Sequence, residues 1–284
     1  MKNRTENAKI LLEALPYIQK FDGKIIVIKY GGNAMLNEEI KNSVMRDIVL
    51  LSIVGMKVVL VHGGGPEINS MLKKLGKETS FINGLRYTDK ETAEIVAMVL
   101  SGKVNKNLVS LIHSNKGKAI GLSGVDGGMI KAHKKTELDL GYVGNIVNID
   151  PGPINVSLDE GFIPVVASIG VDDEGQVYNI NADTAAADIA ASLNAEKLIT
   201  MTDVRGVLKD KDNEDTLISK ININDIPDLV SEGIISGGMI PKIESSINAM
   251  NHGLKEAVII DGRIEHSILL ELFSDSGIGT LFLR

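Results

Sequence analysis

Two stretches of this chain, GKIIVIKYGG from Gly23 and MKVVLVHGGG from Met56, share one rhythm. Four consecutive apolar residues run into one or two polar ones and then into glycines. An unbroken run of Ile, Val and Leu bounded by turn residues reads as a strand buried on both faces. Each run leads into a helix start. Asn37 can cap a helix whose first turn carries Glu38 and Glu39, and Pro66 stands where proline opens a helix. Strand, glycine turn and helix in repetition predict an α/β chain, a three-layer αβα sandwich with a mainly parallel central sheet.

Further strands are expected at 118–122, 163–169, 197–201 and 257–260, and helices at 91–100 and 183–193. DDEGQVYNI reads as a hairpin turn centred on Glu174 and Gly175, which makes part of the sheet antiparallel. Before the first strand, Ala8, Leu11, Leu12, Leu15 and Ile18 follow a helical period. Thr5 can cap that helix, and Pro16 should kink it or end its regular part. These signals divide the chain into a helix at 1–20, a lobe at 21–195 and a second lobe at 196–284.

Composition excludes several functions. Net charge is −7, with no basic face to neutralise a nucleic-acid backbone. The absence of cysteine removes disulfides, thiolate metal sites and thiol nucleophiles. Five histidines are scattered without metal-ligand spacing, so no metal ligands are assigned. The first residues lack a signal-peptide core, and no apolar run reaches membrane-spanning length, so a cytoplasmic protein without a membrane partner is expected.

In open α/β sheets, ligands bind beyond the carboxyl ends of the strands. Three glycine turns fall at such ends: Gly31-Gly32, Gly63-Gly64-Gly65, and Gly121 to Gly124. Successive backbone N–H groups there can cradle an anion, or the glycines can simply make tight turns. Common nucleotide fingerprints fail. No Gly-Lys pair is followed by Ser or Thr, Ile68 stands where a dinucleotide turn needs glycine, and Val125 stands where a nucleophile elbow needs it. Two lysines break local rules. Lys29 ends a buried strand, and Lys242 follows Pro241 at a helix N-terminus, where a cation is disfavoured. A phosphate would relieve both conflicts; for Lys242 a solvated surface position is the alternative. Asp183 opens an Ala-rich helix and suits an N-cap. Arg86 is either a surface charge or a planar fork for a carboxylate.

KYGGNAM from Lys29, VLVHGGGPEIN from Val59, FINGLRYT from Phe81, YNINADTAA from Tyr178, TDVRGV from Thr202 and GGMIPKIESS from Gly237 occur in one order across most of the chain. In that combination the chain resembles the amino acid kinase family, and within it the branch acting on N-acetylglutamate in arginine biosynthesis. The resemblance implies that Lys29 and Lys242 hold the phosphates of ATP and that Asp183 orients both. It implies that Gly32, Gly64 and Gly65 offer N–H groups to the phosphoryl group or the accepting carboxylate. Arg86 and Asn179 would hold the amino-acid end of the substrate. Thr202, Asp203, Val204, Gly206 and Met239 would lie near the nucleotide. Mg²⁺ would be held mainly by the nucleotide's own phosphates.

The same resemblance implies a hexamer, a trimer of dimers joined through the N-terminal helix. It also implies feedback inhibition by arginine, with Glu271 and Gly277 at the effector site. Two rivals stand beside it: a carboxylate kinase acting on a carrier-bound amino acid, and a non-catalytic amino-acid sensor on the same fold.

Overall fold

The computed structural model describes residues 2–35, 37–82 and 84–284, with the backbone alone at 2–8, 33 and 34. Asn83 of the FINGLRYT stretch, and the side chains of Thr5, Ala8 and Asn33, therefore lie outside the described ones.

In chain order come α1 (Lys2–Phe21), β1 (Ile25–Tyr30), α2 (Glu38–Ile53), β2 (Lys57–His62), α3 (Gly65–Lys74) and a ribbon of β3 (Phe81–Ile82) and β4 (Leu85–Arg86). One long helical run follows: α4 (Lys90–Ala97), a π-helical stretch (Met98–Val104) and α5 (Asn105–Ser114). Then come β5 (Ala119–Ser123), β6 (Ile130–Lys134), β7 (Gly144–Ile149), α6 (Gly152–Asp159), β8 (Ile163–Ala167), β9 (Ile169–Val171), β10 (Val177–Asn179) and α7 (Ala182–Ser192). The last third holds β11 (Lys197–Thr202), β12 (Lys220–Asn222), α8 (Ile226–Ser231), α9 (Met239–Asn251), β13 (Glu256–Asp261), α10 (Ser267–Leu272) and β14 (Thr280–Leu283).

The main sheet has eight strands in the order β12-β14-β13-β11-β1-β2-β8-β5. Its ladders are parallel except β13 with β14. Helices cover both faces, as the apolar strands require. Alternation along β1 sorts its side chains. Ile26, Ile28 and Tyr30 pack into the core shared with α2, α4 and α5, whereas Val27 belongs to the core shared with α7 and α9. Each such fully buried aliphatic side chain contributes about 1.5–3 kcal/mol. Lys29 is in step with Val27, so the same alternation turns its ammonium toward α7 and α9.

Several local expectations change. The helix begins at Lys2, so Thr5 lies inside it, and Pro16 does not end it. The segment expected as one strand at 163–169 breaks at Ser168, whose N–H goes to His62 O while its carbonyl accepts from Ile180 N. Beyond that break β9 joins a second sheet, ordered β10-β9-β6-β7, and the hairpin at Glu174-Gly175 belongs there rather than to the main sheet. The helix expected at 91–100 starts at Lys90, capped by Asp89, and continues through the π turns to Ser114. That run is long and apolar enough, by length and composition, to cross a membrane, which corrects the expectation that no segment is. Here it packs as a core helix, burying Ile95, Val96, Val99, Leu100, Val104, Leu108 and Ile112. The proposed boundary at Ala195 falls between α7 and β11, yet β1 and β11 pair directly, so one sheet runs through both halves.

Candidate active site

Lys29 projects from the carboxyl end of β1, and Asp183 sits in the first turn of α7. The sequence suggested that Asp183 caps α7. Asn181 does so instead, its Oδ1 accepting from Asp183 N at 2.9 Å and Thr184 N at 3.1 Å. That frees the Asp183 carboxylate for two lysines. Lys29 Nζ stands 2.8 Å from Oδ1, and Lys242 Nζ, from the first turns of α9, donates to Oδ2 at 2.6 Å. Each lysine thus takes one oxygen of the same carboxylate. Burial alone would favour the protonated acid at Asp183. The neighbouring ammonium groups outweigh it and hold the carboxyl down at about 2.

Two ammonium groups against one carboxylate leave an excess positive charge in a nearly enclosed place, with Lys29 only 6% exposed. An uncompensated buried cation is costly, so the cluster is suited to an anion.

Three connected hollows meet there. Thr202, Asp203, Val204, Gly206, Met239 and Lys242 share a cleft of about 350 Å³ at the carboxyl end of β11. Gly64, Gly65, Arg86 and Asn179 share a smaller one of about 170 Å³. Asp183 and Lys242 line the largest, about 840 Å³, together with Lys135 and Asn145 of the β6–β7 hairpin. Gly32 follows Lys29 at the strand end with φ 70°, a conformation that favours glycine. All residues assigned to ATP and to the amino acid thus gather at one end of the sheet.

Arg86 is buried, which corrects the surface alternative. Its Nη2 donates to Asn69 Oδ1 at 2.6 Å and Gly65 O at 3.4 Å, and its guanidinium lies 4.8 Å over the Phe81 ring. Its Nη1 is buried with no partner among the described residues. A guanidinium fixed on three sides with one free donor group suits a carboxylate. Asn179 Nδ2 donates to Thr88 Oγ1 at 3.3 Å.

The third glycine turn is not an anion nest. The Asp126 carboxylate already accepts from Ser123 N and Oγ, at 2.6 and 2.9 Å. Cβ atoms on Gly121 and Gly124 would collide with the Asn105 side chain and with Ile169 O, so close packing explains those glycines.

Glu271 and Gly277 lie elsewhere. Glu271 is buried, accepts from Ile278 N at 3.0 Å and stands 3.5 Å from Lys197 Nζ; Lys197 also pairs with Glu256 at 3.2 Å. Gly277 has φ 63°, and a Cβ there would collide with the Glu271 carboxylate. Phe21, at the end of α1, lies 6.0 Å from the Lys197 ammonium.

The amino acid kinase family profile matches residues 24–261, which include every strand of the main sheet except β14. The chain belongs to the amino acid kinase family. Among its relatives, an acetylglutamate kinase of Brachyspira hyodysenteriae is 58% identical, covering 98% of this chain and 96% of the relative. One of Heliobacterium modesticaldum is 52% identical over the whole of both chains. One of Clostridioides difficile is 55% identical over 98% of each.

Among solved structures, N-acetylglutamate synthase from Neisseria gonorrhoeae, complexed with coenzyme A and N-acetyl-glutamate, superposes with TM-score 0.85 at 26% identity over 98% of this chain. The same synthase complexed with coenzyme A and L-arginine gives 0.81 at 25% identity over 97%. This chain spans 63% and 65% of those two synthase chains. Carbamate kinase from Giardia lamblia bound to AMP-PNP, 19% identical with TM-score 0.63 over 92% of this chain and 99% of that one, shares the fold.

Asn69 ends the VLVHGGGPEIN stretch, but nothing in the pattern assigned it a role. Nor did the sequence mark Lys197, which reads as the solvated start of a strand. Asn181 was visible as a cap only by its spacing to the helix.

Proposed function

We propose that this chain transfers the γ-phosphoryl group of ATP to the γ-carboxylate of N-acetyl-L-glutamate. The product is N-acetylglutamyl 5-phosphate, an acyl phosphate of arginine biosynthesis, a reaction placed in the cytoplasm. The observation that carries the reading is the convergence of Lys29 and Lys242 on Asp183 between the two assigned clefts. Acetylglutamate kinases more than 50% identical over nearly the whole chain support the choice of substrate.

In this reading the lobe ending at Ala195 holds the amino acid and the lobe after it holds ATP. Lys29 and Lys242 neutralise charge on the transferred group, and Asp183 keeps the two ammonium groups apart and aimed. Gly32, Gly64 and Gly65 offer backbone N–H groups, and Arg86 with Asn179 fixes the amino-acid end. The γ-phosphorus bond to the bridging oxygen breaks as a bond to the carboxylate oxygen forms, and ADP leaves. A carboxylate is already a nucleophile, so positioning and charge carry the chemistry. Mg²⁺ would come bound to the triphosphate and neutralise its charge.

The test is ATP consumption with hydroxylamine, which traps the acyl phosphate, across N-acetylglutamate, glutamate and aspartate. Trapped product with N-acetylglutamate alone is expected; equal rates with free glutamate, or none with any, would overturn the assignment.

Arginine inhibition and a hexamer built from three dimers are part of the same proposal. Buried Lys197 and Glu271 and the partly exposed Glu256 form a cluster with excess negative charge, suited to a guanidinium. Tyr17 of α1 donates to Asp275 at 2.6 Å, so the helix touches the segment just beyond α10. Ile10, Leu11, Leu12 and Leu15 leave an apolar stripe of α1 exposed, as a partner surface requires. A chain cut before Phe21 that stays hexameric and arginine-sensitive would refute this part.

A further inference from the structure

His62 ends β2 directly before the glycine turn and is fully buried, with no carboxylate bonded to it among the described residues. Its Nδ1 stands 2.8 Å from Gly63 O. A carbonyl can only accept, so Nδ1 carries the proton. Its Nε2 stands 3.1 Å from Asn105 Nδ2. The orientation of the Asn105 amide is fixed by its other partners. Nδ2 faces Val165 O at 2.8 Å and Leu122 O at 3.1 Å, while Oδ1 accepts from Lys106 Nζ at 3.1 Å. Nδ2 is therefore the donor nitrogen, its two N–H protons shared among three acceptors, and Nε2 of His62, which faces only a donor, carries no proton. The ring is a neutral imidazole in one tautomer, and burial supports this by pushing its pKa down to about 4.

The two peptide groups flanking Gly63 are each pinned. The Gly63 N–H donates to Tyr30 O at 3.3 Å, next to Lys29, and the Gly63 carbonyl is held by His62. The peptide bonds are trans among the described residues, so the Gly63 carbonyl and the Gly64 N–H point in opposite directions. Tying the carbonyl to the imidazole turns the Gly64 N–H away from it. Gly64 lines the substrate hollow, and no acceptor meets its N–H among the described residues. The π-helical stretch completes the clamp. It sets Leu100 and Val104 against Gly64, where a Cβ would come within 2.7 and 3.1 Å of them, and it delivers Asn105 under strands β5 and β8. Single π turns within α-helices are frequent at functional sites.

We propose that His62 and Asn105 are positioning residues for phosphoryl transfer. A hydrogen-bonded line from the β5 and β8 carbonyls through the Asn105 amide and the His62 ring to Gly63 O aims the Gly64 N–H at the transferred group. The inference rests on the kinase reading. His62 takes no proton from the substrate and never becomes a cation; it acts through the backbone.

The experiment compares His62→Leu, Asn105→Leu and His62→Asn with wild type in the hydroxylamine assay, alongside melting temperatures. Asparagine keeps an N–H in the place of Nδ1 but cannot reach Asn105. Leucine at either position should lower kcat on the order of 10- to 100-fold, below the cost of deleting a donor outright, with KM for ATP unchanged. His62→Asn should recover most of the His62→Leu loss, a rescue that simple loss of packing would not give. Folded leucine variants with kcat within about twofold of wild type would overturn the proposal. A wild-type chain that forms no acyl phosphate would instead sink the kinase reading. Should the leucine variants fail to fold, ¹⁵N spectra of the wild-type imidazole still decide. The neutral Nδ1–H tautomer from pH 5 to 9 supports the line, and the Nε2–H tautomer or a charged ring breaks it.

Discussion

Two lysine clusters occupy the two strand-end edges of the main sheet, one where the central strands finish and one where they begin. Lys29 lies near the carboxyl end of β1 and Lys197 at the amino end of its neighbour β11, where Ile26 is its partner in register. At the first edge two lysines share one aspartate; at the second, one lysine sits between two glutamates. The chemistry is the same and the sign of the imbalance is reversed. Burial makes residual charge costly, so the two edges are suited to ligands of opposite sign. The first fits a phosphate and the second fits a cation such as the arginine side chain.

The largest effect should come from the first edge. Lys29→Ala or Lys242→Ala is expected to lower turnover by on the order of 10²–10³, the scale for losing one preorganised charge stabiliser. Near-wild-type rates in the hydroxylamine assay would break the comparison at its stronger side. At the second edge, Glu271→Gln restores charge balance, and the arginine concentration for half-inhibition should rise by roughly tenfold or more, the scale of one charge-assisted hydrogen bond. Unchanged inhibition curves would mean that the negative imbalance there is structural.

Between the two in sequence, Asn69→Leu frees the Arg86 fork without removing it. KM for N-acetylglutamate should rise by roughly tenfold while KM for ATP stays put, since one hydrogen bond from a charged group is worth about 1.5 kcal/mol or more. Steady-state kinetics with each substrate varied will check this.

The smallest effect is on acid stability. The Asp183 carboxyl is depressed below its ordinary value, so its stabilising contribution is fully present above about pH 4 and lost as pH falls toward about 2. Asp183→Asn should flatten that part of the stability profile in chemical denaturation. An unchanged slope would show that the lysine pair does not depend on the ionised partner.

Much of the first edge was legible in the chain itself. Lys29 and Lys242 each violated a local rule, one by ending an apolar strand and the other by sitting at a positive helix end. A violated rule is visible without knowing what compensates it. The second edge was legible only as family resemblance at Glu271 and Gly277. Lys197 obeyed every local rule, and its burial depends on Phe21, Glu256 and Glu271 arriving from distant segments. Arg86 and Asp183 were ambiguous for the same reason: Asn69 and Asn181 decide their roles, and no local pattern says which cation or carboxylate each will meet.

Periodicity and glycine placement in the sequence determined the layered α/β fold, the helix starts at Asn37 and Pro66, and the edge of the sheet where ligands gather. These are local or repeating properties, set by which side chains can be buried on a strand and which backbones can turn. The tertiary structure alone decided which charges meet, which asparagine orients which cation, and how the π-helical stretch sets Asn105 beneath the glycine turn. Tertiary contacts join residues as far as 258 positions apart, and their energy depends on distance and burial that no local pattern encodes.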